Sequence, residues 1–256
     1  VAGQTTDVRK VLIIGIGAGN PDHLTLQAVK AIGATQVFFI IEKANAPELG
    51  ALRDEMIDRH ATPGEHRVVV IPEVARDRDP DDYERAVADW HEARARRLGD
   101  AIVAELADGE TGAILVWGDP SLYDSTLRVL ETVRRLGDTE LDHEVIPGIT
   151  SVQALAASHR IPLHGVGEPV LVTTGRRLVG GVQAPNTVVM LDGQEAFRAV
   201  DADGTTIHWG AYLGTDDEIT VAGPLAEVAD RITEVRAQAR DEHGWIMDIY
   251  LLQGDG

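Results

Sequence analysis

Residues 11–21 read VLIIGIGAGNP, and the fold follows from this stretch. A β-branched run ends in a glycine-rich turn, and Pro21 then fits a helix start, with Asp22 and Thr25 near its first turn. The run over residues 11–16 is the first of five. Residues 36–41, 67–71, 113–116 and 143–146 repeat the pattern, with long intervals between them that are mostly helical in period. Tyr83, Ala86, Val87, Trp90, Leu98, Ala101, Ile102 and Leu106 mark one such helix, with Gly99 a break point within it. Leu127, Val129, Leu130 and Val133 mark another. Strands alternating with helices require crossovers, hence a largely parallel sheet.

A second set of runs occupies residues 170–173, 187–191, 205–209, 218–222 and 246–252. Their closer spacing predicts a mixed sheet. One long helix is evident, with Leu225, Val228, Ala229, Ile232, Val235 and Ala239 on its buried face and Pro224 near its start. The joint is expected in residues 160–169, which hold Pro162, Gly165, Gly167 and Pro169. The sequence therefore predicts two α/β domains, residues 1–162 and 163–256, the first with a parallel and the second with a mixed five-stranded sheet.

Open parallel sheets bind ligands outside the carboxyl ends of their strands. Those ends here are residues 15–21 (GIGAGNP), Glu42-Lys43, Pro72-Glu73, residues 117–123 (WGDPSLY) and residues 147–151 (PGITS). Turns of this kind need Gly and Pro for structural reasons as well. Gly15, Gly17 and Gly19, with Glu42 at the end of the next strand, look like a dinucleotide fingerprint. The spacing is G-x-G-x-G, however, and Asn20 or Pro21 stands where the third glycine belongs, which argues against NAD without closing that reading. Asp119 has two open roles: acceptor for ribose hydroxyls or a ligand amine, or cap of the next helix.

Composition narrows the classes. The chain has 256 residues, 44% of them hydrophobic and only 4% aromatic, so aliphatic residues fill the interior. The absence of cysteine removes disulfides, thiolate metal sites and a cysteine nucleophile. The nine histidines are dispersed, with no H-x-x-x-H pair, and no metal is expected. No apolar run approaches the ~18 residues of a membrane span. Residues 1–7 lack a signal-peptide layout, so the expected location is the cytoplasm. A net charge of −19 argues against nucleic acid, whereas an anionic small substrate requires only a local basic cluster. Lys10, Lys30 and Lys43 are the only lysines among 23 basic residues. The arginines offer forks for carboxylates, although compositional bias explains their number equally well.

Three segments, residues 11–26 (VLIIGIGAGNPDHLTL), 118–123 (GDPSLY) and 144–157 (EVIPGITSVQALAA), followed by Ile161-Pro162-Leu163, resemble the tetrapyrrole methylase family, the enzymes that methylate precorrins and uroporphyrinogen. The likeness extends over nearly the whole chain. A finer likeness to members that couple methylation to loss of an acetyl group rests on residues 76–80 (RDRDP) with Trp90-His91, on residues 173–176 (TTGR) and on residues 209–214 (WGAYLG).

The resemblance implies a cofactor, S-adenosylmethionine, in the cleft between the two domains. Its contacts would be Ala18, where many relatives have proline, then Trp117, Gly118, Asp119, Leu122 and Tyr123, and then Thr150 and Ser151. In the second domain they would be Leu191 and the strand end Trp209, Gly210, Ala211 and Tyr212. It also implies a tetrapyrrole substrate, precorrin-5, converted with water to precorrin-6A and acetate, and a homodimer. Loss of the acetyl group calls for a general base, with Glu42, Asp119, Tyr123 and His208 as candidates. His208, on an alternating strand, has a structural role as its alternative. Lys43, Arg76, Arg78, Arg176 and Arg177 are expected to meet substrate carboxylates, against the alternative of surface ion pairs. The competing functions are another precorrin or uroporphyrinogen-III C-methyltransferase, or a non-catalytic S-adenosylmethionine- or tetrapyrrole-binding protein.

Overall fold

A computed structural model describes residues 8–41, 47–74, 82–137 and 140–254. The chain divides into two compact units. The first holds the described residues up to Gly17 and from Pro21 to Ile149; the second holds Ala18–Asn20 and everything from Thr150 onward. The division thus falls ahead of the glycine- and proline-bearing stretch at 160–169, and a tripeptide of the first turn belongs to the second unit.

In the first unit the strands are β1 (Arg9–Gly15), β2 (Val37–Ile41), β3 (Arg67–Ile71), β4 (Thr111–Val116) and β5 (Leu141–Ile146). They form one parallel sheet in the order β3-β2-β4-β1-β5. The helices are α1 (Leu26–Gly33), α2 (Pro47–His60), α3 (Tyr83–Glu105) and α4 (Thr126–Leu136). Both sheet faces are covered, so β1 from Val11 onward and β4 from Gly112 onward are buried at every position. Leu12 and Ile14 pack with Phe38, Ala113 and Leu115 on the α1/α2 side. Val11 and Ile13 pack with Phe39, Ile114 and Val116 on the α3/α4 side, against Leu98, Ile102, Leu130 and Val133.

Two sequence expectations need correction here. Pro21 opens a short 3-10 turn, Pro21–His23, and α1 itself begins at Leu26, capped by the Thr25 hydroxyl accepting from Ala28 N at 3.0 Å. Gly99 does not break α3, which runs through it. A Cβ there would lie 3.2 Å from Val133 Cγ1, so this glycine marks close packing of α3 on α4.

The second unit contains α5 (Ser151–His159), β6 (Leu171–Thr174), α6 (Gly175–Val179), β7 (Asn186–Met190), β8 (Thr205–Ala211), β9 (Ile219–Pro224), α7 (Leu225–His243) and β10 (Asp248–Gly254). Its sheet is mixed, in the order β6-β7-β10-β8-β9, with only β6 and β7 paired in parallel. Burial alternates over Thr205–Trp209 of β8, whereas β7 and β10 are buried at successive positions. Val189, Ile207, Trp209, Tyr250 and Leu252 bury against Leu225, Ile232 and Ala239 of α7. Among the described residues no helix is long and apolar enough to cross a membrane.

Candidate functional site

The order β3-β2-β4-β1-β5 places the crossover from β1 and the crossover from β4 on opposite faces, since α1 and α4 lie in different cores. The crevice outside the ends of β1 and β4 is therefore the topological switch point, where ligands bind in open α/β sheets. Three turns meet there. Gly17 and Gly118 form an isolated antiparallel bridge, with Gly118 N donating to Gly17 O at 2.7 Å and Gly17 N to Gly118 O at 3.3 Å. Gly148, in the turn after β5, comes closer still: a Cβ on it would lie 2.0 Å from Gly118 O, which only glycine permits.

Asp119 fastens the same turns. Its Oδ2 accepts from Gly148 N at 2.9 Å, and its Oδ1 accepts from Ser121 N at 2.8 Å and from the Ser121 hydroxyl. Burial works to raise its pKa, but these hydrogen bonds prevail and hold the carboxyl below its ordinary value. Asp119 is thus a staple between two site turns, a role apart from the two open in the sequence. Trp117 is half-buried against the α1/α2 core, and its Nε1 is buried with no hydrogen-bond partner among the described residues. Leu122 is half-buried, and its N–H closes a turn onto Asp119 O at 3.1 Å. Tyr123 is 43% exposed and adopts φ 52°, a left-handed conformation seldom taken by aromatic residues outside constrained sites.

In the second unit, Thr150 is the N-cap of α5. Its hydroxyl accepts from Val152 N at 3.1 Å, and Gln153 Oε1 accepts from Thr150 N at 3.1 Å in a capping box. Ser151 is the first helical residue. Ala18 is buried, and the neighbouring Gly19 lies so near the turn after β8 that a Cβ would be 2.4 Å from Leu213 O. The G-x-G-x-G glycines therefore serve contacts between turns of polypeptide, which accounts for their departure from the dinucleotide spacing.

β8 runs parallel to β7, so Met190 and Ala211 finish at one end of the sheet, with Thr174 of β6. Leu191, just beyond β7, is 68% exposed at φ 53°, and Glu195 also takes a left-handed φ of 56°. Leu191 and Arg176 line one groove of about 330 Å³ together with Thr174, Gly193 and Gln194, so two separate sequence motifs converge. Arg177 is exposed at the next position of α6.

The Leu191–Glu195 turn rests on a buried polar network. Asp192 accepts from Tyr250 OH at 2.7 Å and from Ala196 N at 2.6 Å; Arg236 donates to Asp248 Oδ2 at 2.8 Å and to Asp192 O. Burial comes first in pushing the Tyr250 phenol far above its ordinary range, with Asp192 adding to it, so the hydroxyl remains a donor.

The strand end 209–212 is brought to the same edge, but two of its side chains face the core. Trp209 is fully buried with Nε1 donating to Asp248 Oδ2 at 3.0 Å. Tyr212, at φ 50°, sends its hydroxyl to Trp245 O at 2.6 Å. Gly210 and Ala211 leave only backbone on offer there. His208 lies elsewhere: it is mid-strand, its ring 5.2 Å from that of His159 at the far end of α5, ~12 Å along that helix from Ser151. Burial, then His159, lower its pKa, while Gln253 opposes them. Glu42, Lys43, Arg76 and Arg78 lie outside the described residues. Among the described residues no group of three His, Asp or Glu side chains gathers to hold a metal.

The sequence reading missed the Asp119 staple and the network under Leu191. Asp119 was visible as a residue, but its partner 29 positions later was not.

A family model described as Tetrapyrrole (Corrin/Porphyrin) Methylases matches residues 10–229. The chain is 50% identical over 250 residues to a precorrin-6A synthase [deacetylating] of Sinorhizobium sp, covering 96% of this chain and 95% of that one. It is also similar to the crystal structure of a cobalamin synthesis related protein (CobF) from Corynebacterium diphtheriae, with TM-score 0.85 and 41% identity over 96% and 99% of the two chains. The uroporphyrin-III C-methyltransferase of Thermus thermophilus, solved with S-adenyl homocysteine, shares the fold at TM-score 0.58 and 21% identity over 95% and 97%.

Proposed function

The chain belongs to the tetrapyrrole (corrin/porphyrin) methylases, and we propose that it is a deacetylating precorrin-6A synthase, converting precorrin-5 to precorrin-6A with release of acetate. The observation that carries this reading is 50% identity to such a synthase across 96% of the chain. Features of each unit taken singly suit S-adenosylmethionine: in the first, glycine backbone stands at the switch point and the buried Trp117 indole N–H has no partner among the described residues; in the second, Leu191 is exposed and able to pack on an apolar face. When bound, S-adenosylmethionine supplies a methyl group already activated by its sulfonium charge.

The chain's own residues then have limited work, chiefly positioning. The proposed cofactor contacts are Ala18, Trp117, Gly118, Leu122, Tyr123, Thr150, Ser151, Leu191 and the backbone of Gly210 and Ala211, with Asp119 holding its turns in register. Thr150 and Trp209 act through backbone, because the Thr150 hydroxyl caps α5 and the Trp209 ring is internal. Deacetylation needs water: it adds to the acetyl carbonyl, the bond to the macrocycle breaks, acetate leaves, and the electron pair stays on the macrocycle as a carbon nucleophile. Tyr123, exposed at the site turn, is proposed to orient that water. Arg176 and Arg177 are proposed substrate-carboxylate contacts, as are Lys43, Arg76 and Arg78. A homodimer in the cytoplasm is proposed on the family resemblance, and sedimentation at micromolar concentration tests the dimer.

Incubation with precorrin-5 and methyl-labelled cofactor tests the reaction. Label on the macrocycle and free acetate are expected in equal amounts. Methyl transfer without acetate would assign the chain to another precorrin or uroporphyrinogen-III methylation, and cofactor binding with no turnover would make it a binding protein.

A further inference from the structure

The face of the second sheet turned to α5 carries a chain of polar side chains that no role above uses. It begins at Glu168, whose Oε2 accepts from Gly165 N at 3.0 Å and from Asn186 Nδ2 at 2.8 Å. Asn186 is buried at the start of β7, and its Oδ1 accepts from Gln253 Nε2 of β10 at 3.1 Å. Gln253 in turn hydrogen-bonds the His208 ring. His208 Nδ1 is buried with no partner among the described residues, so that bond belongs to Nε2.

The chain has one direction. A carboxylate only accepts, so Asn186 donates with its amide nitrogen and accepts with its oxygen. Gln253 does the same, which leaves its Oε1 to accept from His208 and sets the ring proton on Nε2. The bond from Asn186 does most to hold the Glu168 carboxyl below its ordinary value, so this direction persists from neutral pH down to about pH 5. Nδ1 of His208 is then a bare lone pair in the interior.

That lone pair lies under the last turn of α5. Leu155 packs over Gly210, where a Cβ would lie 3.0 Å from Leu155 Cδ1. His159, one turn on, meets His208 edge to face with ring centroids 5.2 Å apart, and its Nε2 donates to Trp209 O at 3.0 Å. The buried residues of α5 are Val152, Ala154 and Leu155, all in its first five positions, so its last turn is held through His159. A second proton on His208 would enter at Nδ1 as a buried donor facing no acceptor. Few other charges stand near. In register with His208 are Ala222 of β9 and Leu251 of β10; α5 brings His159 and its exposed cap Arg160, and the segment beyond brings exposed His164 and Glu168.

We infer that His208 and His159 form a proton-operated latch on α5, closed while His208 is neutral and released when its Nδ1 takes up a proton. Thr150 and Ser151 begin the same helix, so release also weakens cofactor binding; that consequence rests on the methylase reading, whereas the latch rests on the second unit alone. Burial, then His159, lower the pKa of His208 in the closed state. The latch is therefore at full strength above the open-state value of about 6.5 and weakens as pH falls toward the lower closed-state value. One linked proton raises the opening constant by up to about tenfold per pH unit in that window.

Hydrogen exchange on the full chain from about pH 7.5 to about pH 5, each rate divided by its intrinsic value, tests this. The amides of Arg160 and Ile161, bonded to Ala157 O and Ala156 O, should open about tenfold more at the acid end, with those of β1 unchanged. His208→Gln should remove the response, and His164→Gln should match wild type. S-adenosylhomocysteine affinity should fall several-fold over the same range in wild type and stay level in His208→Gln. If that variant fails to fold, imidazole nitrogen NMR of the wild type decides: His208 should be the Nε2–H tautomer at neutral pH and titrate below about 6.5. An Nδ1–H tautomer, pH-independent exchange at the end of α5, or loss of the response in His164→Gln overturns the latch. A normal exchange response with level cofactor affinity overturns its link to the site. A wild-type protein that binds no S-adenosylhomocysteine at any pH overturns the methylase reading and leaves the latch standing.

Discussion

Asp119 shows how far one side chain reaches. Its two oxygens serve Ser121 and Gly148, and the same bonds hold its carboxyl below the ordinary value of 3.8. A depressed carboxylate contributes stability in full above its unfolded pKa and loses it as pH falls through the lower folded one. Asp119 therefore stays ionised at neutral pH and is no proton shuttle. Asp119→Asn should cost about 1 kcal/mol in denaturant unfolding and weaken S-adenosylhomocysteine binding, because one of its two backbone donors then faces an amide N–H₂. Unchanged binding in a folded variant would detach the staple from the site. His208 follows the same sign at a higher pH. Its lowered pKa keeps the folded ring neutral while the unfolded chain takes up a proton near 6.5, so stability is full above that pH and drops as pH falls toward the folded value. His208→Gln should flatten the fall in Tm between pH 7 and pH 5 and leave methyl transfer at neutral pH within about twofold, consistent with its place under the far end of α5. A large loss of turnover would return His208 to the list of bases. The sequence singled out Asp119, Thr150 and Tyr212 by motif, but it could not foresee that they act as staple, helix cap and core phenol. Those roles depend on partners brought near only by folding, such as Gly148 for Asp119 and Trp245 for Tyr212.

The turns of the site are set by what lies beneath them. Leu191 and Glu195 hold left-handed backbone, which costs of order 1 kcal/mol or more per residue and persists only where the surroundings enforce it. Asp192, Tyr250, Arg236 and Asp248 supply that enforcement from the core side of the second sheet. Tyr250→Phe removes one donor from a buried carboxylate and should cost about 1–3 kcal/mol in Tm-derived stability. It should also weaken S-adenosylhomocysteine binding. Leu191→Ala should weaken the same binding with no change in Tm, since the side chain is 68% exposed. If the network acts through Leu191, the double variant binds better than the sum of the two single losses predicts. Strict additivity would reduce the network to a stabilising role. At this scale the strands were legible: all ten described strands coincide with runs rich in β-branched residues, within a residue or two at most ends, because buried strands concentrate such residues into short runs. The helices were less so. Among its described side chains α2 buries Leu52, Met56 and Ile57, too sparse a stripe to stand out, and Gly99 reads as a breaker although α3 uses its missing side chain to approach α4.

Across the whole molecule, a formal charge of −19 confronts two ligands of opposite sign. The proposed substrate is a polyanion, and the protein's long-range field repels it; the proposed cofactor carries a sulfonium and an ammonium against one carboxylate, and the same field attracts it. The proposed substrate contacts Arg176 and Arg177 act at contact distance and are screened far less than the field of the whole surface. Raising monovalent salt from ~10 mM to ~150 mM shrinks the Debye length from about 30 Å to about 8 Å, which removes most of the distant field and leaves contact pairs largely intact. Steady-state measurements over that range should therefore show kcat/KM rising for the tetrapyrrole and falling for S-adenosylmethionine, each by a few-fold. S-adenosylhomocysteine, which lacks the sulfonium charge, should bind almost independently of salt. A tetrapyrrole kcat/KM that falls with salt would mean that the basic contacts govern encounter as well as grip. If the cofactor proves insensitive to salt, its site is shielded from the acidic surface, and the net charge would bear on solubility alone.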